Sequence, residues 1–195
     1  GPEAFDFTKL DQFAGELPDN AINFSCVRDN ISGLIWEVKQ PSSGTLPNTQ
    51  LREAQNTYSW YLTTVNNGGF AGVEAPAQVS CPSTVNCGLD QYVTEVNEIN
   101  YCGGNNWRVP THSELSSLLH FGQQGSGSVL ISDFFPHSAT LAIDGVLPYW
   151  TMQTSAEGGQ SAFAWAIDMF SGKDIGYPKQ NLGYIRLVRD TSNDD

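Results

Sequence analysis

The chain has 195 residues, a formal net charge of −12 and a sequence pI near 4.4. Nucleic acid is excluded as a partner, because phosphate contacts need a basic surface, and heavily sulfated polymers are disfavoured on the same grounds. Glycine (19) and proline (10) are frequent and charged residues make up only 15%, which describes a loop-rich globular protein with short strands.

From the N-terminus, Phe5, Phe7 and Leu10 suggest a strand, and residues 11–25 read as a loop turning at Pro18-Asp19-Asn20. The run Cys26 to Asn30 leads into Gly33 to Val38, where Leu34, Trp36 and Val38 share one face of a strand. Residues 39–57 are polar and turn-rich, and Tyr58 to Leu62 gives a short aromatic strand or turn. The long segment 63–89 holds Asn66-Asn67-Gly68-Gly69 and the Cys81/Cys87 pair, a stapled loop. Asp90 to Asn100 is helical in pattern, with Leu89, Val93, Val96 and Ile99 near one face and Gly103 as the stop.

The stretch Cys102 to Leu115 organises the middle of the chain. Trp107-Arg108-Val109 is extended, Pro110 disfavours helix before it, and Thr111-x-x-Glu114 is a capping box. Leu115, Leu118 and Leu119 follow at helical spacing, predicting a helix from Thr111 to about Phe121-Gly122, with Arg108 and Glu114 as scaffold partners. Strands are expected at Pro148 to Met152, Phe163 to Phe170 and Tyr184 to Arg189, with turns at 155–160 and 171–174. In the second of these, Phe163, Trp165, Ile167 and Met169 share a face, and Trp150 and Trp165 read as core. No linker divides the chain, so residues 1–195 are expected to form a single domain, with Gly1-Pro2 read as a scar of tag cleavage.

Four cysteines without a CxxC pair point to structural disulfides, with Cys81–Cys87 and Cys26–Cys102 the favoured connectivity, and hence to an extracellular or cell-surface location. No apolar run approaches membrane-spanning length, so any anchor would lie outside this chain. No catalytic set emerges. There is no G-x-S-x-G elbow, and the glycine loop 122–128 lacks the ending of a phosphate cradle. His112 and His120, eight apart on a helix, would point about 80° apart, so they read as solvated side chains rather than joint metal ligands. Asp168 with Asp174 is the one weak calcium candidate, with solvated turn carboxylates the preferred reading; no cofactor is expected. Lys173, Lys179, Arg186 and Arg189 leave room for a local cationic patch. The candidate ligand-binding set is Asp168, Phe170, Lys173, Asp174, Tyr177, Lys179 and Asn181, because turn aromatics beside fixed amides and charges suit ligand recognition.

Motifs in order, namely Cys26 to Val38, Asn56 to Tyr61, Tyr92-Val93 to Cys102-Gly103, Trp107 to Leu115, Tyr149-Trp150-Thr151, Ala164-Trp165 and Ile185 to Arg189, resemble the Lcl C-terminal domain family of bacterial exported proteins. The resemblance implies an α+β fold that is C-type-lectin-like: two helices packed on a small twisted antiparallel sheet with long loops. It further implies an adhesive or ligand-binding module recognising a glycan or surface protein, alone, as a homo-oligomer or in a larger surface assembly. The tripeptides of calcium-dependent sugar-binding lectins are missing. Two other readings are a formylglycine-generating-enzyme-like oxidase using a cysteine pair, and a structural subunit or tip of a pilus.

Overall fold

In the computed structural model, which describes residues 5–44, 50–63, 67–74, 81, 87–123, 128–156 and 161–191, the N-terminal strand β1 (Phe7–Leu10) pairs with β2 (Cys26–Asp29). A tight turn with Gly33 at positive φ joins β2 to β3 (Leu34–Glu37). The closing strand β9 (Val188–Asp190) then completes a four-stranded antiparallel sheet in the order β1-β2-β3-β9. The chain's two ends are thereby sewn into one sheet. Two further antiparallel sheets follow: β4 (Tyr58–Ser59) with β8 (Leu182–Gly183), and β5 (Pro148–Ser155), β6 (Phe163–Asp168) and β7 (Lys173–Pro178) in sequence order. With α1 (Leu89–Glu98) and α2 (His112–Ser116), the fold is α+β, and the single expected sheet is three. Of the expected turns, 124–127, 157–160, Asn66 and Pro82 lie outside the described residues.

Both expected disulfides are present, Cys26–Cys102 and Cys81–Cys87, and no cysteine is free. The first ties β2 to the turn after α1. There Asn100, Cys102 and Gly103 all adopt positive φ, which ends the helix. Arg189 Nη2 donates to the Cys102 carbonyl at 2.8 Å, so β9 is fastened to the same turn.

Two apolar clusters fill the interior. Leu34, Trp36 and Val38 point into one with Leu115, Leu118, Tyr149, Ile167 and Met169, as the alternation of β3 requires. The other holds Ile35, Trp60, Tyr92, Trp107 and Trp150. Helix α1 buries Leu89, Tyr92 and Val96 and packs the half-buried Val93 against the same core, whereas Ile99 is exposed and Tyr92 takes the place that periodicity offered to it. Helix α2 is shorter than expected. Thr111 Oγ1 accepts from the Glu114 amide and Glu114 accepts from the Thr111 amide, completing the capping box. However, the Ser116 and Ser117 hydroxyls donate back to the carbonyls of His112 and Glu114, competing with further helical turns. Arg108 forms a two-pronged pair with Glu114 at 2.7 and 2.8 Å, half-buried, so both are scaffold.

Three of the four cations that suggested a patch are interior: Lys179, Arg186 and Arg189 are fully buried, and only Lys173 is exposed. Arg186 Nη1 donates to the Glu37 carbonyl at 2.6 Å. Around Glu37 lies an ionic cluster. Its Oε1 is 3.2 Å from Lys39 Nζ and 3.4 Å from Arg52 Nε and accepts from the Tyr92 hydroxyl, while Oε2 accepts from the Leu187 amide at 3.0 Å.

These environments set a pH profile. Burial works against the Glu37 carboxylate, but Lys39, Arg52 and the two hydrogen bonds outweigh it and hold its pKa below the usual range. Burial pushes Lys39 and Lys179 down to about 8. Burial, aided by the Glu37 charge, pushes Tyr58 and Tyr92 well up. On acidification through the ordinary carboxyl range the unfolded chain takes up the proton first, so stability falls. From about pH 8 to about 10 the unfolded lysines hold protons that the folded ones have shed, so stability rises; above about 10 the unfolded tyrosines ionise first and it falls. Urea midpoints taken from pH 3 to 11 are expected to peak near pH 10, and a maximum below pH 8 would contradict these assignments.

Candidate functional site: an aromatic recess on the outer face of β5–β7

The register of β6 against β7 sets Trp165 beside Gly176 and Ile167 beside Asp174. Residues two apart on a strand share a face, so Trp165 and Asp174 stand on the same side of the sheet, and the indole's partner on β7, Gly176, carries no side chain. On the opposite side Ala164 and Ala166 are fully buried against the cluster containing Trp60, Trp150 and Tyr177. Small residues face the large rings of the core. Trp165 is consequently turned outward and half-buried, which corrects its expected place in the core, whereas Trp150 is fully enclosed.

Helix α2 covers the Ile167 and Met169 end of this face, bringing His112 to its edge. The His112 ring meets Trp165 edge-on, with centroids 6.1 Å apart, and its Nε2 lies 2.8 Å from Asp174 Oδ1. Gln153 Oε1 accepts from the His112 amide at 2.8 Å, fixing the helix start to β5. An irregularity in β5 between Trp150 and Thr154 brings Gln153 and Thr154 to the rim. Together His112, Gln153, Thr154, Trp165 and Asp174 line a recess of about 430 Å³.

Of the seven residues singled out from sequence, Asp174 alone lines it. Asp168 is buried, and its carboxylate accepts from the Leu147 amide at 2.8 Å, the Phe170 amide at 3.1 Å and the Ser171 hydroxyl at 2.5 Å. Burial opposes its charge, but those bonds win and hold its pKa below the usual range. Asp168 therefore organises the β6–β7 turn; among the described residues no group of three His, Cys, Asp or Glu is placed to hold a metal ion. Phe170 is 60% exposed on that turn, and Lys173 is exposed at the start of β7. Tyr177 packs under Trp150 with centroids 5.2 Å apart, and burial pushes its hydroxyl pKa up. Asn181 is half-buried and its amide closes a turn on the Pro178 carbonyl at 2.9 Å.

Lys179 acts from behind the recess. Its Nζ lies 4.1 Å from the Trp60 ring centroid and donates to the carbonyls of Asn67 and Phe70, at 2.8 and 2.7 Å, and to Thr154 Oγ1 at 3.0 Å. It thus ties the 67–70 turn to the strand that carries Gln153 and Thr154. Gly72 lets this loop pass close to Trp60: it sits at φ +94, and a Cβ there would fall 1.8 Å from the Trp60 carbonyl oxygen.

His112, Gln153, Thr154 and Trp165 were missed as site residues. His112 is paired rather than solvated, and His120 packs edge-on to Phe5 instead of facing water. One signal was legible: Phe163 and Trp165 alternate with two alanines, and a strand passing beneath large core rings buries its small side.

The recess, both halves of the Cys26–Cys102 disulfide and the Glu37 cluster fall within residues 25–189, over which the chain matches the family model described as the Lcl C-terminal domain. No curated protein and no solved structure matches it. The match covers most of the chain and includes every motif from Cys26 to Arg189, so the chain belongs to the Lcl C-terminal domain family.

Proposed function

We propose that this domain is a ligand-binding module of a surface or secreted protein, C-type-lectin-like in fold, that holds a neutral or weakly charged glycan in the Trp165 recess. The observation that carries the reading is the outward indole of Trp165, with Gly176 beside it and His112, Gln153, Thr154 and Asp174 at its edge. A pyranose ring offers an apolar C–H face that stacks on such a ring, while its hydroxyls need donors and acceptors at the rim. Family membership supports a surface or secreted setting, and two disulfides are compatible with it. Among the described residues no helix is long and apolar enough to cross a membrane.

The test is a glycan array probed with the wild-type domain and with Trp165→Ala. Losing one aromatic stack should weaken binding tenfold or more, roughly 1.5–3 kcal/mol, while a half-exposed position should leave thermal stability almost unchanged. Binding should persist in EDTA. Equal binding by the variant would place the ligand elsewhere, and loss in EDTA would restore a metal to the account.

A further inference from the structure

A second cavity, remote from Trp165, opens where β3 leaves the four-stranded sheet. It measures about 550 Å³, and its lining includes Asp11, Asn23, Lys39, Gln40, Arg52 and His137. In a chain of net charge −12, its floor is cationic.

The positive character comes from the cluster beneath. Glu37 is the carboxylate to which Lys39 and Arg52 are paired, and Arg186 holds the Glu37 backbone, so three cations surround one anion. Two groups on the cavity wall feel these cations. Lys39 is disfavoured as a cation by burial first; Glu37 pulls the other way, and Arg186 and Arg52 work more weakly against that pull. His137 is disfavoured as a cation by burial and by Arg186. Asp11 at the rim is fixed by its own loop, its Oδ1 accepting from the amides of Phe13 and Gly15, each at 2.8 Å.

Arg52 is poised to receive an anion. Its guanidinium carbon lies over the Tyr101 ring, 3.4 Å from the centroid, so the fork is held in place. Nη2 donates to the Val38 carbonyl and the Tyr101 hydroxyl, whereas Nε is buried without a hydrogen bond. Nη1 makes no hydrogen bond to any described residue. Nε is turned to Glu37 Oε1 at 3.4 Å, which leaves Nη1 as the open donor, and a fixed guanidinium edge with an open N–H beside an ammonium is an arrangement that a carboxylate fills.

We propose that this cavity is a carboxylate-binding site in which Arg52 holds one carboxylate group of a small ligand, with the positive field of the buried Lys39 ammonium, itself bonded to Glu37 and Tyr92, beside it. The mouth suits a molecule with an apolar portion, since Phe13 and Ile22 in the lining are 75% and 87% exposed. The strongly acidic surface selects against polyanions, so a single carboxylate is the fitting charge. A peptide C-terminus and an acidic sugar both supply that group.

The test compares sodium acetate, N-acetylglycine and sodium glucuronate with sodium chloride at equal ionic strength. The readouts are melting temperature and the Arg52 Nε–H resonance of the wild-type protein. Saturable stabilisation with movement of that resonance is expected, and the methyl ester of N-acetylglycine should do neither. Tighter binding of N-acetylglycine points to a peptide terminus and tighter binding of glucuronate to an acidic sugar. Arg52→Gln should weaken carboxylate binding about tenfold or more, the loss of a charged hydrogen bond. Should that variant fail to fold, Arg52→Lys keeps the charge, removes the fork and is expected to weaken binding as well. No difference between carboxylates and chloride, or a still Arg52 resonance, overturns the proposal.

Discussion

Replacing Glu37 by alanine is expected to lower the unfolding free energy by about 3–5 kcal/mol, the range for breaking a buried ion pair by removing one partner. Glu37 is fully buried and meets Lys39, Arg52, Tyr92 and the Leu187 amide through its carboxylate. Truncation leaves three cations facing one another and orphans a tyrosine hydroxyl and a backbone amide. Glutamine retains a shape that can still bond Leu187 and Tyr92, so Glu37→Gln should cost less than alanine. Urea denaturation of both variants at pH 7 checks the order. A cost below about 1 kcal/mol for alanine would mean that the cluster is solvated and open, contrary to its burial.

Removing the Cys26–Cys102 disulfide as a serine pair is expected to cost about 4 kcal/mol, against about 2 for Cys81–Cys87. In the chain-entropy account the stabilisation grows with the loop closed in the unfolded state. The separations are 76 and 6 residues. The larger bridge also sits under the Arg189 contact to the Cys102 carbonyl, so its loss frees β9 as well as β2. Denaturant midpoints of the two serine pairs measure the difference, and a larger cost for the short bridge would contradict this ranking.

The scaffold was legible wherever a local rule and tertiary packing agreed. Thr111 and Glu114 cap a helix because both groups needed for the box lie three residues apart in one sequence. Leu34, Trp36 and Val38 alternate because one face of β3 meets a core. Where a second layer intervened, the pattern misled. Glu37 is polar yet enclosed, since β3 is covered on both faces and the cations that neutralise it come from Lys39, Arg52 and Arg186. Nothing near Glu37 in sequence announces Arg186.

The recess was less legible for the same reason. Candidate residues were sought in turns, where Asp168, Lys179 and Asn181 looked free to bind. The turns of this fold are held by those very side chains: Asp168 collects three donors, and Lys179 is consumed by two carbonyls and a threonine. Strand β7 was not foreseen, because Lys173–Pro178 carries a glycine and a proline and only pairing with β6 stabilises it. Without β7, the meeting of Asp174 with Trp165 and His112 could not be anticipated.

The five indoles allow the most direct test of the Trp165 recess. Those of Trp60, Trp107 and Trp150 donate to the carbonyls of Thr151, Tyr101 and Tyr58, and that of Trp36 is fully buried. Trp165 alone of the five is partly open to solvent. In a titration of ¹⁵N-labelled protein with a glycan selected on the array, the Trp165 indole resonance should move while the other four stay in place. A still Trp165 signal at saturating glycan, or binding retained in full by Trp165→Ala, would contradict the account.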